Sequence, residues 1–246
     1  MLLLLPPSET KRDGGVEGSR LDFARLSFAE LTPQRTLALR ALRTLSRNLT
    51  AAMGGLGLGR TQRFEIDRNR VVTTSAVMPA IDRYTGVLFD ALDAASLTPS
   101  ERAFAAQHLI IHSALFGLLR AEDPIPAYRL SHNSRLPGLS LRTLWRGPVA
   151  AVLAEQPGLI LDLRSEAYAE LGPAPAGSWY VRVVSQNESG RKVALSHFNK
   201  KGKGEFAREL VRAGITHATV ESLVSWAADR GIRLERGAEG ELDLVV

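Results

Sequence analysis

Leu2-Leu-Leu-Leu-Pro-Pro-Ser8-Glu-Thr-Lys11 reads as a short buried strand, closed by two prolines and followed by a polar loop. The same signature returns at Leu159-Ile-Leu-Asp-Leu163, between Pro157-Gly158 and Ser165. Met78–Ile81 is a third strand candidate, and Leu109–Leu115 fits either strand or helix. Two alternating pairs predict hairpins: Trp179–Val184 with Lys192–His197 around Asn187–Gly190, and Ile232–Leu234 with Leu242–Val246 around Gly237–Gly240. Between them lie helical patterns. Thr32-Pro33 starts one that runs to about Met53, with Ala38, Leu42, Leu45 and Leu49 on one face. Others begin near Arg60 and Tyr84, behind the capping box Thr98-Pro-Ser-Glu101, and at Ser165. Leu141–Leu153 is helical with an interruption at Gly147-Pro148, and Gly204–Ala213 and Val220–Arg230 are amphipathic. Strands and helices mix without strict alternation and without repeats. The expected fold is α+β, a single domain over residues 1–246 with a mixed sheet and surrounding helices.

The chain has 246 residues and no Cys, which excludes disulfides, thiolate catalysis, iron–sulfur clusters and cysteine zinc sites. Met1–Leu5 is cut off by Pro6-Pro7 before it reaches signal-peptide length, and Leu109–Leu119 is too short to span a bilayer. The expected location is the cytoplasm, with no membrane contact.

The formal charge of +5 is unevenly placed. Pro33 to Arg70 holds eight Arg and two acids, and Arg191 to Arg212 holds seven basic residues and two acids. Arg40, Arg43 and Arg47 fall within a narrow arc opposite the apolar face of their helix. Arginine grips phosphate with a planar fork, so this block suits a polyanion. Gly54-Gly-Leu-Gly-Leu-Gly59 follows, between two helical segments, as in the hairpin of a helix-hairpin-helix DNA-binding element near residues 33–66. Gly57 and Gly59 would let backbone amides approach a phosphate, with Arg60 and Arg63 beside them.

Other constellations sit at strand ends and loops. Ser8 and Lys11 match a serine-nucleophile spacing, but its partner motifs are missing, and an anion contact by Lys11 fits better. His108 and His112 lack a third ligand and read as packed histidines, and no metal site is expected. Asp162 lies inside an apolar run and must find a partner. Ser165 and Tyr168 follow it, and Tyr128-Arg129 pairs a phenol with a guanidinium. His197 stands beside the cluster Lys200-Lys-Gly-Lys203.

Taken in order, Leu-Pro-Pro-Ser-Glu-Thr-Lys11, Tyr84-Thr-Gly86, Ser113-Ala-Leu-Phe-Gly-Leu-Leu-Arg120, Pro126-Ala-Tyr-Arg-Leu130, Leu161-Asp-Leu-Arg-Ser-Glu-Ala-Tyr168 and Ser196-His-Phe-Asn-Lys-Lys201 resemble the YaaA family of peroxide-stress proteins. The resemblance runs from residue 2 to about residue 210. It implies a basic cleft, DNA binding with a helix-hairpin-helix-like element, and a role in limiting damage from hydrogen peroxide and iron. The recurrent polar positions of the family fall on Ser8, Thr10, Lys11, Tyr84, Gly86, Arg120, Tyr128, Arg129, Ser165, Tyr168, Lys200 and Lys201.

Two functions follow as expectations. The first is a DNA-binding protein of the peroxide response. It would hold double-stranded DNA with low sequence specificity, through phosphate contacts from Ser8, Thr10, Lys11, Arg40, Arg43, Arg47, Gly57, Gly59, Arg60, Arg63, Lys200, Lys201 and Lys203, and would need no cofactor. The second is an enzyme acting on a small anionic or nucleotide-like ligand in a cleft drawn from Lys11, Tyr84, Arg120, Tyr128, Arg129, Ser165, Tyr168 and His197.

Overall fold

The computed structural model describes residues 1–186, 192–194 and 198–246. In chain order the elements are β1 (Leu2–Leu5), α1 (Thr32–Ser46), α2 (Leu49–Gly55), α3 (Phe64–Arg70), β2 (Met78–Pro79), α4 (Ala80–Arg83), α5 (Val87–Leu92), α6 (Pro99–His108), β3 (Leu109–Ser113), β4 (Gly117–Arg120), β5 (Pro124–Ile125), α7 (Leu141–Ala154), β6 (Ile160–Asp162), α8 (Glu166–Glu170), β7 (Trp179–Gln186), β8 (Lys192–Ala194), α9 (Phe198–Ala213), α10 (Val220–Asp229), β9 (Leu234–Arg236) and β10 (Glu241–Val245).

The main sheet runs β4-β3-β1-β6-β7-β10-β9, with β8 beside β7. Its five central strands, β3-β1-β6-β7-β10, are all parallel. The outer strands β4 and β9 are antiparallel. This is the expected α+β fold, with a mixed sheet and helices around it. The four leucines of β1 are all buried, because the strand is central: Leu3 pairs with Leu109 on one side and Leu161 on the other. Alternation of strands and helices fails in the sequence because all of α1–α6 lie between β1 and β3. From β1 the chain builds one half of the sheet, then crosses back to β6 and builds the other. The carboxyl ends of β1 and β6 therefore face connections that diverge, the place where open parallel sheets bind ligands.

Several expected elements differ in detail. The helix from Thr32 breaks at Asn48, whose side chain accepts the Ala51 amide at 3.0 Å and caps α2. The residue at the cap of α1 is Leu31, not Thr32. Only Met78 and Pro79 pair as a strand, against β5, before the chain turns into α4. Helix α7 runs through Pro148. Trp145 and Val149, both fully buried, anchor the turns on either side, and the Trp145 indole donates to the Ala114 carbonyl at 2.9 Å. Helix α9 starts at Phe198, not Gly204, so Lys200–Lys203 is helical. Gly204 is a packing residue there: a Cβ would strike the Leu88 carbonyl of α5. The Thr98 capping box forms as expected, as does the β9–β10 hairpin. Strands β7 and β8 pair, and the expected turn at Asn187–Gly190 lies outside the described residues.

No helix of the described residues is long and apolar enough to cross a membrane.

Candidate functional site

The loop after β1 is fixed from beneath. Lys11 is buried, and its ammonium donates to the carbonyls of Ser8 (2.8 Å) and Glu9 (3.1 Å). It lies 4.2 Å from the centre of the Tyr128 ring and 5.2 Å from that of Tyr84. Burial pulls its pKa down to about 7, with Glu65 opposing that fall. Beneath the lysine runs a chain of hydroxyls. The Tyr84 and Tyr128 hydroxyls are 2.7 Å apart, and Tyr128 lies 2.7 Å from Ser113 Oγ, which accepts the amides of Leu115 and Phe116. Burial raises both tyrosines well above their ordinary value.

The end of β6 is fixed by a buried ion pair. Asp162 takes two side-chain bonds from Arg164, at 2.8 and 2.6 Å. The Arg164 guanidinium also donates to His112 Nδ1 and the Gly172 carbonyl, both at 2.9 Å. Because arginine only donates, His112 Nδ1 is an acceptor and the ring proton sits on Nε2. Burial first, then the charge of Arg164, holds the His112 pKa well below its ordinary range. His108 bonds to the Met1 carbonyl at 2.7 Å. Both histidines are thus packing residues, as expected, and Asp162 has the partner its burial demanded.

Between these two strand ends opens a cleft of about 380 Å³. Pro6, Pro7, Ser8 and Glu9 form one wall; Leu163, Ser165 and Tyr168 form another. Ser131 and His132 come from the loop before α7, and Asn199, Lys200 and Lys203 from the start of α9. Glu9 is held by the largely buried Arg129 at 2.6 Å and by Ser131 Oγ at 3.4 Å. The His132 and Tyr168 rings meet edge to face, 5.3 Å between centres. Lys203 is buried, donates to the Arg164 carbonyl at 3.0 Å and covers the Tyr180 ring at 4.8 Å. Burial lowers its pKa to about 8. Lys200 is exposed and has no ion pair among the described residues. A second lobe of about 270 Å³ shares Pro6–Glu9, Leu88 and Lys200, and extends to Thr10, Thr85 and Gly86. Gly86 has φ +97°, and a Cβ there would stand 3.2 Å from Ser8 Oγ and 3.3 Å from Thr10 Oγ1.

The expected cleft residues therefore divide. Ser165 and Tyr168 line the cavity. Lys11, Tyr84 and Tyr128 support its floor, and Arg129 orients Glu9. Arg120 is not among its walls: its side chain reaches the Gln107 carbonyl and lies 5.4 Å from the Phe28 ring centre. His197 lies outside the described residues. Glu9 and His132 are functional candidates the sequence reading missed, because their partners are remote in the chain.

The arginines sort equally sharply. Arg35, counted in the first basic block, is fully buried and donates to the carbonyls of Phe116, Leu118 and Ser27. Arg68 and Arg70 pair with Asp13, Glu65 and Asp67. Arg40, Arg43, Arg47, Arg60 and Arg63 are exposed, and their side chains have no ion pair or hydrogen bond among the described residues. No Asp or Glu occurs between residues 31 and 64. Helix α1 packs on α2, α3 and α7, whereas α9 packs on α5, α6 and β7, so the two basic blocks rest on different neighbours. In the second block Lys201 pairs with Glu205, Arg208 with Asp93, and Arg212 with Glu101. Helices α2 and α3 flank the glycine turn, as a helical hairpin would. The Gly59 amide, however, is taken by Gln62 Oε1 at 3.0 Å, and Gly57 has φ +62°.

The family model described as peroxide stress protein YaaA matches residues 1–234. The chain belongs to the YaaA family. A UPF0246 protein of Corynebacterium glutamicum strain R is 42% identical over 96% of this chain and 95% of its own length. A second, from Corynebacterium efficiens, is 42% identical over the full length of both. A third, from Streptomyces coelicolor, is 41% identical over 97% of this chain and 93% of its own. YaaA membership covers the loop after β1, the end of β6 and the arginine-bearing helices alike.

Proposed function

We propose that this YaaA-family protein acts in the cytoplasm, in the peroxide-stress response, by binding double-stranded DNA through its phosphates with low sequence specificity. One observation carries the reading: five exposed arginines, Arg40, Arg43, Arg47, Arg60 and Arg63, occupy a stretch of chain without a single carboxylate and have no ion pair among the described residues. Elsewhere among the described residues the exposed Arg70, Arg142, Arg212, Arg233 and Arg236 each meet an acid. Leaving five planar forks unpaired costs self-repulsion, which a polyanion offsets by releasing its counterions on binding. Contacts of this kind carry no base information, so affinity follows charge and not sequence. Gly57 and Gly59 sit in the turn between α2 and α3, just ahead of Arg60 and Arg63 in the chain; with the Gly59 amide held by Gln62 Oε1, the phosphate contacts fall chiefly to the arginines. Limiting peroxide and iron damage then follows from covering DNA. The chain has no Cys, so thiol oxidation has no part in it.

The test is fluorescence anisotropy with two labelled duplexes of unrelated sequence. Replacing Arg40, Arg43 and Arg47 together by Glu is expected to weaken both by a similar factor, about tenfold or more. Unchanged affinity in the triple variant, or loss for one duplex only, contradicts the reading.

A further inference from the structure

We propose that the cleft at the carboxyl ends of β1 and β6 is a binding site for one nucleotide, either free or as a single residue extruded from a strand. The site is independent of the arginine surface, none of whose residues lines it.

Charge placement selects the ligand class. Among the described residues, the cleft holds one exposed cation without an ion pair, Lys200, where its two lobes meet. It also holds a carboxylate, Glu9, fixed by Arg129 and Ser131 and still partly open to solvent. A bare phosphate would satisfy the lysine and be repelled by the glutamate. A ligand with an anionic end and a donor end satisfies both. The smaller lobe provides the anionic end: the hydroxyls of Ser8, Thr10 and Thr85 lie within 3.1 to 3.2 Å of one another along the chain they form. Gly86 leaves that lobe open, because a side chain there would crowd Ser8 and Thr10. Its own amide is taken by Asp90, Thr10 donates to the Thr85 carbonyl and Thr85 to Thr10 Oγ1, so a phosphate depends on Ser8 and Lys200.

The larger lobe suits a base and sugar. Its wall is the Tyr168 and His132 rings, with Leu88, Leu130 and Leu163 around them. Glu9 then accepts from a sugar hydroxyl or a base amino group. The volume, about 380 Å³ before the second lobe is added, is of the size that ligand sites occupy, and the position is the crevice open parallel sheets use. Lys11 is a positioning residue. By holding the carbonyls of Ser8 and Glu9 it sets the loop that carries both a hydroxyl of the phosphate lobe and the carboxylate.

The experiment has two arms. In the first, deoxyadenosine monophosphate and inorganic phosphate are titrated separately into the protein by calorimetry. In the second, anisotropy and 2-aminopurine fluorescence compare a duplex carrying one mismatched 2-aminopurine with the fully paired duplex. Nucleotide binding at millimolar or lower concentration, tighter than phosphate and weakened about tenfold by Lys200→Glu, supports the site and identifies a free ligand. Silence in the first arm, with a fluorescence rise on the mismatch that Lys200→Glu and Ser165→Trp both abolish, supports it and identifies a strand-borne nucleotide. No response in either arm, phosphate binding as tight as nucleotide, or binding indifferent to both substitutions overturns it. The first arm contains no DNA, so its failure and the failure of the arginine surface are separate results.

Discussion

The arginine-bearing helices and the cleft use cations in opposite ways. On α1 and around α3, the side chains of Arg40, Arg43, Arg47, Arg60 and Arg63 are exposed and hold no partner among the described residues. Around the cleft, Lys11, Arg129, Arg164 and Lys203 are buried, and each donates to a carboxylate or a carbonyl. A buried cation without partners is very costly, so its geometry is fixed by the fold. An exposed one costs little and is free to meet a ligand. Net charge makes the two regions look alike; their hydrogen bonds tell them apart. Substitutions at the cleft should therefore be read first in stability, and those on the arginine surface first in binding.

The largest effect is expected at Arg164. Replacing it by Leu strands the Asp162 carboxylate in the core and should cost about 3–5 kcal/mol, measured by chemical denaturation. A loss under one kcal/mol would erase the contrast drawn above. Removing the Tyr128 hydroxyl with Phe breaks the chain between Tyr84 and Ser113 and should cost about 1–3 kcal/mol, because Ser113 Oγ and the Tyr84 hydroxyl each lose a buried partner.

Titration of Lys11 sharpens the comparison further. Its folded pKa is lowered to about 7 against an ordinary 10.5. Between those values the unfolded chain binds the proton and the folded chain releases it. This group thus makes the protein more stable as pH rises from about 7 toward 10.5. Lys11→Met should flatten that slope in denaturation curves taken across the window; an unaltered slope would assign it elsewhere. The smallest stability effect is expected on the arginine surface, where Arg43→Ala should change stability by less than about 0.5 kcal/mol. A larger loss would mean that this side chain is structural after all.

What was legible in the sequence follows the same division. Leu2–Leu5 and Leu159–Leu163 were readable as strands because central parallel strands are apolar throughout and end abruptly. Thr98 announced its helix through a local capping box. Arg35 was misassigned to the surface block, although its spacing from Ala38, Leu42 and Leu45 puts it on the buried stripe. Helical periodicity held that signal, and residue type obscured it. The sequence reading began this helix only at Gly204, because Lys200-Lys-Gly-Lys203 carries no apolar stripe; Gly204 is there to let α9 approach α5. Glu9 and Arg129 are 120 residues apart in sequence, and no local pattern links them. The cleft was legible only as polar residues at strand ends; strand order brought the ends of β1 and β6 together.

The central claim is that the unpaired arginines meet DNA phosphates, and its most direct test is the salt dependence of duplex affinity. For the unaltered protein, the logarithm of the association constant should fall linearly and steeply with the logarithm of salt concentration. The slope should shrink by roughly one for each of Arg40, Arg43 and Arg47 replaced by Ala. A slope that stays the same in the triple alanine variant would show that these side chains release no counterions, and would contradict the account.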